Sequence, residues 1–168
     1  RSAIVVLWCC YLPDSWAGQR FPEHAVDYGQ IEPYCKMLCS LFEEFEPFYF
    51  ISGDTRFEPE TTRYYLRALE CVKRFAPSCL TAMHMGPDVV LPSEIANSAC
   101  LDFYTYQSGH EIEQQQRAYT LAEQLNSLPF KRPVINAEPC YDGHGYGFGY
   151  GRFGSFEVRR AVLQGLLA

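Results

Sequence analysis

Hydrophobic positions follow two rhythms along the chain. Short, nearly continuous apolar runs occur at residues 3–8 (A-I-V-V-L-W), 47–52 (P-F-Y-F-I-S), 79–83 (C-L-T-A-M), 101–106 (L-D-F-Y-T-Y) and 133–137 (P-V-I-N-A). Their length and their β-branched and aromatic content predict buried strands. Segments of helical period lie between them. Residues 24–45 carry Tyr34, Met37, Leu38, Leu41, Phe42 and Phe45 as one stripe at i, i+3, i+4 spacing. Residues 60–75 predict a helix with Pro59 near its start and Pro77 beyond its end. Residues 111–128 predict another, with Ala118, Leu121, Ala122, Leu125 and Leu128 on its apolar side. Residues 155–167 predict a last helix with Ser155 as N-cap. Strict alternation of β and α implies a parallel sheet with helices packed on it. No repeat, low-complexity tail or linker interrupts the pattern, so one domain over residues 1–168 is expected.

Two architectures fit this order, an open doubly wound sheet and a (β/α)8 TIM barrel. In both, function gathers at the carboxyl ends of the strands. Those ends are chemically rich. The first strand runs into Trp8-Cys9-Cys10-Tyr11 and the second into Gly53-Asp54-Thr55. The third ends at His84, the fourth at Gln107-Ser108-Gly109-His110, and the fifth at Glu138 with Tyr141 close behind. No glycine-rich phosphate loop follows any of them, which disfavours a nucleotide site. Beyond Glu138, glycine alternates with aromatic residues, including Tyr146, Phe148, Tyr150 and Phe153. Such a loop serves either as packing or as a platform for sugar rings.

Composition narrows the chemistry. The formal net charge is −6, which argues against nucleic acid as a partner, because a phosphate backbone wants a basic face. No apolar run approaches the roughly 18 residues of a membrane span. Eight cysteines form no C-x-x-C pair, and most sit inside apolar runs. They read as buried reduced thiols acting as small hydrophobes, which leans toward a cytoplasmic location. The chain starts within a strand pattern, with neither an initiator Met nor a signal peptide, so a leader on a longer protein stays compatible with it.

A lone Asp54 would ordinarily be a loop or cap residue, and His84 or His110 alone a structural hydrogen-bonder. Glu138 is harder to dismiss, because a carboxylate emerging from V-I-N-A must find a partner or a function when it leaves water. Taken together, two carboxylates with stacking aromatics and neutral hydrogen-bonders suit glycoside hydrolysis. One carboxyl protonates the leaving oxygen; the other attacks the anomeric carbon or activates water. Two rivals stand beside this reading. One is a non-catalytic carbohydrate-binding barrel or degenerate glycosidase. The other is a metal-dependent hydrolase using His84, His110 and one carboxylate, although these residues share no short ligand motif.

S-G-D-T at residues 52–55, L-T-A-M-H at 80–84, L-D-F-Y-T-Y-Q-S-G-H at 101–110 and P-V-I-N-A-E-P-C-Y-D-G-H at 133–144 resemble the apiosidase-like glycoside hydrolases. Those proteins carry a G-G-D strand end, a T-x-H strand, a D-F-x-x-x-Q-S-G-H strand and a K-P-V-x-x-x-E-P-x-Y-E segment in this order. The opening V-V-L-W-C-C-Y-L-P is similar to the family's third strand, and the closing V-R-R-A-V-L-Q-G-L-L-A resembles the helix that feeds its eighth. The resemblance implies a (β/α)8 barrel, often paired with a collagen-binding domain, in which the acid/base follows the fourth strand and the nucleophile the seventh. By motif these are Asp54 and Glu138. With these roles the expected enzyme is a retaining glycoside hydrolase in which His84, Gln107, His110 and Tyr141 bind the sugar, Trp8 and Tyr11 wall the site, and no metal or cofactor is required. The substrate implied is an oligosaccharide or polysaccharide such as apiose-containing plant pectin. The five runs become barrel strands three to seven. A complete barrel takes about 250 residues, so a partial barrel within a larger protein is expected. Two positions depart from the pattern: Ser52 stands for the first Gly of G-G-D, and Asp142 for the Glu after E-P-x-Y.

Overall fold

The computed structural model describes residues 4–7, 12–147 and 149–168. The chain folds as two compact units, Arg1–Phe103 and Tyr104–Ala168. In the first, strands β1 (Ile4–Val6), β2 (Phe48–Phe50) and β3 (Thr81–Ala82) form a parallel sheet in the order β1-β2-β3. Helices α1 (Trp16–Arg20) and α2 (Ile31–Leu41) separate β1 from β2, and α3 (Pro59–Phe75) separates β2 from β3. The short helix α4 (Ser93–Ala96) follows β3. In the second unit, β4 (Tyr104–Gln107) pairs in parallel with β5 (Val134–Glu138). Helix α5 (Arg117–Asn126) joins them, and α6 (Ser155–Leu167) follows. The predicted alternation of parallel strands and helices is the observed order. No helix among the described residues is long and apolar enough to cross a membrane.

The expected helix over residues 24–45 is shorter than its pattern. Two single turns of 3-10 helix, Pro22–His24 and Tyr28–Gln30, precede α2, and another, Glu43–Phe45, follows it. The buried face of α2 is Ile31, Cys35 and Cys39, while Met37, Leu41 and Phe45 are exposed. Packing against α3 decides the face: the Cys35 thiol reaches the Ala68 carbonyl at 3.9 Å, and Glu32 bridges Arg67 and Arg74. On α3 the buried positions Thr61, Tyr65, Ala68, Leu69 and Val72 recur at helical spacing. Its last turn is tied to β3, since Asp102 Oδ2 meets Lys73 Nζ at 2.6 Å and accepts from the Thr81 backbone N–H at 2.7 Å.

Cys35, Cys39, Cys71, Cys79 and Cys140 are free and buried, and Cys100 is free and half-buried. Burial raises the thiols of Cys39, Cys71 and Cys140 above their usual range, which keeps them protonated. Cys9 and Cys10 lie outside the described residues.

The N-cap of α6 is Gly154, not Ser155. Glu157, three residues on, reaches back to accept from the Gly154 N–H at 2.9 Å, as the acidic residue of a capping box does. Helix α6 packs closely on its neighbours through small residues: Ala161 joins Ala118, Cys140 and Phe153 in one buried cluster. A Cβ placed on Gly165 would stand 2.9 Å from the Tyr106 hydroxyl. That hydroxyl donates to the Ala118 carbonyl at 2.6 Å, and burial pushes its pKa up to about 12. Gly165→Ala should therefore destabilise the protein by about 1–2 kcal/mol, although alanine is the better helix former by about 1 kcal/mol. A urea-unfolding midpoint equal to or above wild type would show that α6 does not sit this close to Tyr106.

Candidate functional site

Each unit places a histidine against a carboxylate just beyond its strands. In the first unit the chain leaves β2 through Ile51, Ser52 and Gly53 to Asp54. Ser52 is fully buried, and its hydroxyl donates to the His84 carbonyl at 2.8 Å and accepts from the His84 N–H at 2.9 Å. Glycine could make neither bond. The Ser52 departure thus clamps the end of β2 to the residue that ends the third apolar run.

Asp54 turns through left-handed backbone, with φ 46°, and Phe57 does so again at 59°. Neither is glycine, and each such residue costs of order 1–2 kcal/mol that surrounding contacts must offset. The Trp16 N–H donates to the Asp54 carbonyl at 3.2 Å, and the Gly86 N–H to the Thr55 carbonyl at 3.0 Å. The Asp54 side chain, 27% exposed, brings Oδ1 to 3.5 Å from His84 Nδ1. The same Nδ1 lies 3.3 Å from the Asp54 N–H. An unprotonated Nδ1 accepts from the amide, whereas a protonated one pairs with the carboxylate. The imidazole can therefore answer either protonation state of the acid beside it.

In the second unit, a register irregularity between Tyr106 and Gln107 pairs Gln107 with Glu138 rather than with Ala137. This bulge re-aims the last residue of β5. The Glu138 carbonyl receives the Ser108 N–H at 3.1 Å and the Gly109 N–H at 3.4 Å. The chain then turns away at Gly109 with φ 77°, a conformation that suits glycine, which accounts for Q-S-G-H at this strand end. The Glu138 side chain, only 14% exposed, is held by two neighbours. His110 Nε2 lies 3.1 Å from Oε1, and the Tyr141 hydroxyl donates to the same oxygen. The His110 ring packs against both Tyr141 and His144, with centroids 4.4 and 4.5 Å away.

The glycine–aromatic loop is anchored rather than loose. The Gly147 N–H donates to the His110 carbonyl at 2.7 Å, and the Phe153 N–H to the His144 carbonyl at 2.9 Å. Phe153 is buried, with Tyr146 edge-on to it at 4.8 Å, so packing accounts for these two aromatics. Tyr150 stands fully in solvent, and Phe148 lies outside the described residues.

His84 thus stands beside Asp54, and His110 and Tyr141 beside Glu138. Gln107 is buried at the end of β4. Trp8 and Tyr11 lie outside the described residues. Each His–carboxylate pair offers two of the ligands a protein-bound zinc would take from three or four. Sequence reading missed His144, although the glycines on both sides of it signalled a turn that could fold its ring back. It also missed a buried network through Asp14, which no motif marks.

The profile of the family described as "Apiosidase-like, catalytic domain" matches residues 1–168. Among solved structures, the chain is similar to one described as a glycoside hydrolase, with TM-score 0.78 and 20% identity over 89% of this chain and 37% of that one. It is also similar to a glycoside hydrolase family 5 protein from Bacteroides vulgatus, with TM-score 0.76 and 20% identity over 84% of this chain and 33% of that one. A Thermobifida fusca endoglucanase catalytic domain in complex with cellotetraose aligns at TM-score 0.51 and 11% identity, over 82% of this chain and 47% of that one. The chain spans about a third of the length of the first two. No curated protein sequence matches it. At these identities the likeness speaks for the fold, a parallel β/α arrangement of the TIM-barrel kind.

Proposed function

We propose that this chain, which belongs to the apiosidase-like catalytic-domain family, carries the catalytic carboxylates of a retaining glycoside hydrolase. The observation that carries the reading is Glu138: a mostly buried carboxylate at a strand end, held on one oxygen by both His110 and Tyr141. Two donors fix the orientation of the group and stabilise its charge, as a nucleophile on a rigid element requires. The five strands correspond to strands three to seven of an eight-stranded barrel. The order of the family motifs and the share of the structural relatives covered support that assignment.

In the first step Glu138 attacks the anomeric carbon while the Asp54 carboxyl gives its proton to the departing oxygen. The carbon–oxygen bond to the leaving group breaks and a glycosyl ester forms. In the second step Asp54, now a carboxylate, takes a proton from water. The water oxygen bonds to the anomeric carbon and Glu138 leaves as a carboxylate. The exposed face of Tyr141, with Trp8 and Tyr11, would stack on the sugar, while His84, Gln107 and His110 would meet its hydroxyls. The substrate class is a complex plant glycan such as apiose-containing pectin, and no metal enters the steps. The free, mostly buried thiols favour a reducing, cytoplasmic compartment.

The configuration of the first-formed sugar tests this. Proton NMR at early times of pectic oligosaccharide digestion should show the product anomer with the configuration of the substrate. An inverted first product would remove Glu138 as nucleophile. Sugar binding without any turnover would favour a carbohydrate-binding role.

A further inference from the structure

Asp14 is 4% exposed and lies far in sequence from the residues it serves. Its Oδ1 accepts from the Tyr65 hydroxyl at 2.6 Å, and its Oδ2 from the Thr61 hydroxyl at 2.7 Å and the Glu58 N–H at 3.3 Å. Its carbonyl accepts from the Arg56 N–H at 3.1 Å. The Tyr65 hydroxyl accepts in turn from the hydroxyl of Thr55, a residue with no exposed surface. Thr55 directly follows Asp54 and is bridged to Ser15 on one side and Met85 on the other.

Three of these bonds, through Thr55, Arg56 and Glu58, reach the segment from Asp54 to Glu58, which holds the two left-handed non-glycine residues Asp54 and Phe57, and two tie Asp14 to Thr61 and Tyr65 of α3. A buried carboxylate is expensive unless its oxygens are satisfied, and here donors from α3 and from the segment satisfy it. The chain Asp14–Tyr65–Thr55 therefore links the rigid helix α3 to the backbone that aims Asp54. Residues so placed do not touch a substrate at Asp54; they hold the residue that does.

We infer that Asp14, Tyr65 and Thr55 form a positioning network that keeps Asp54 in its strained backbone conformation and so sets the efficiency of proton donation to the leaving group. The inference rests on the reading of Asp54 as general acid. A misplaced acid slows departure of poor leaving groups and hardly touches good ones, which need no proton. General damage to the fold lowers both alike.

The test compares phenyl and dinitrophenyl apiosides as substrates. Tyr65→Phe removes only a hydroxyl and keeps the ring against Phe57, whose centroid is 5.1 Å away. Thr55→Val removes the hydroxyl from a side chain of the same shape, and Thr55→Ser restores it. Tyr65→Phe and Thr55→Val should lower kcat on the phenyl apioside by roughly 10- to 100-fold with little change in KM. They should keep near wild-type kcat/KM on the dinitrophenyl apioside, which reports the first step alone and needs no proton from Asp54, and Thr55→Ser should keep wild-type values on both. Equal losses of kcat/KM on the two substrates, a change in the KM of the phenyl apioside alone, or no change would overturn the network's role. Asp54→Asn separates the two levels: if it shows no leaving-group dependence, or if wild type cleaves neither apioside, the acid assignment falls and the inference with it. If Asp54→Asn shows the dependence and the network variants do not, the inference alone falls.

Discussion

Glu138→Gln should abolish turnover while leaving the protein folded and able to bind sugar. The amide keeps an oxygen where Oε1 stands, so the Tyr141 hydroxyl and His110 Nε2–H still find their acceptor. Only the charge and the nucleophilicity go. Loss of a nucleophile of this kind costs roughly 10⁴- to 10⁶-fold in kcat. The melting temperature should move by no more than about 2 °C, since a conserved hydrogen-bond pattern changes stability little. Steady-state kinetics, thermal unfolding and calorimetric binding of a pectic oligosaccharide check the three parts. Wild-type turnover in this variant would place the nucleophile elsewhere, and lost binding together with lost turnover would mean that the charge holds the site together. The Glu138→Gln variant is also the natural vehicle for capturing an intact substrate.

Asp54→Asn should separate two kinds of substrate. On a phenyl glycoside, whose departure needs a proton, kcat should fall by about 10²- to 10⁴-fold. On a dinitrophenyl glycoside the loss should be small in the first step and appear in the second, where no base remains to activate water. Added azide needs no base, so it should restore turnover and leave a glycosyl azide of retained configuration. The pH profile gives an independent sign. The acid donates only when protonated, so wild-type kcat/KM should fall as pH rises through the titration of the general acid. The variant should lack that alkaline limb while keeping the acid limb, which reports ionisation of the nucleophile. Azide that neither accelerates the reaction nor appears in the product would remove Asp54 from the acid/base role.

Much of the candidate site was legible because its chemistry is written at strand ends. Apolar runs with strand length and composition located β2, β4 and β5 to within a few residues, and in a parallel β/α order those ends are where ligands bind. Asp54, His84, Gln107, His110, Glu138 and Tyr141 follow directly from that rule. The carboxyl–imidazole pairing was not legible. Asp54 and His84 are 30 residues apart, as His110 and Glu138 are 28 apart, and only strand register brings them together.

Where several patterns fit one stretch, packing made the choice. Along α2 and the turn after it, Met37, Leu41 and Phe45 are bulkier hydrophobic residues than Cys35 and Cys39, yet the face of Ile31, Cys35 and Cys39 is the buried one. The small thiols let α3 approach closely, and closeness of approach outweighs the hydrophobicity of single residues. Alternation, strand ends and the chemical types standing there were determined by the sequence, because they depend on local periodicity and on residue identity. The left-handed turn at Asp54, the bulge that aims Glu138, the stacking of His144 and the buried Asp14 network were decided only by tertiary structure. Each depends on contacts between residues distant along the chain, and those contacts carry the energy that offsets local strain and buried charge.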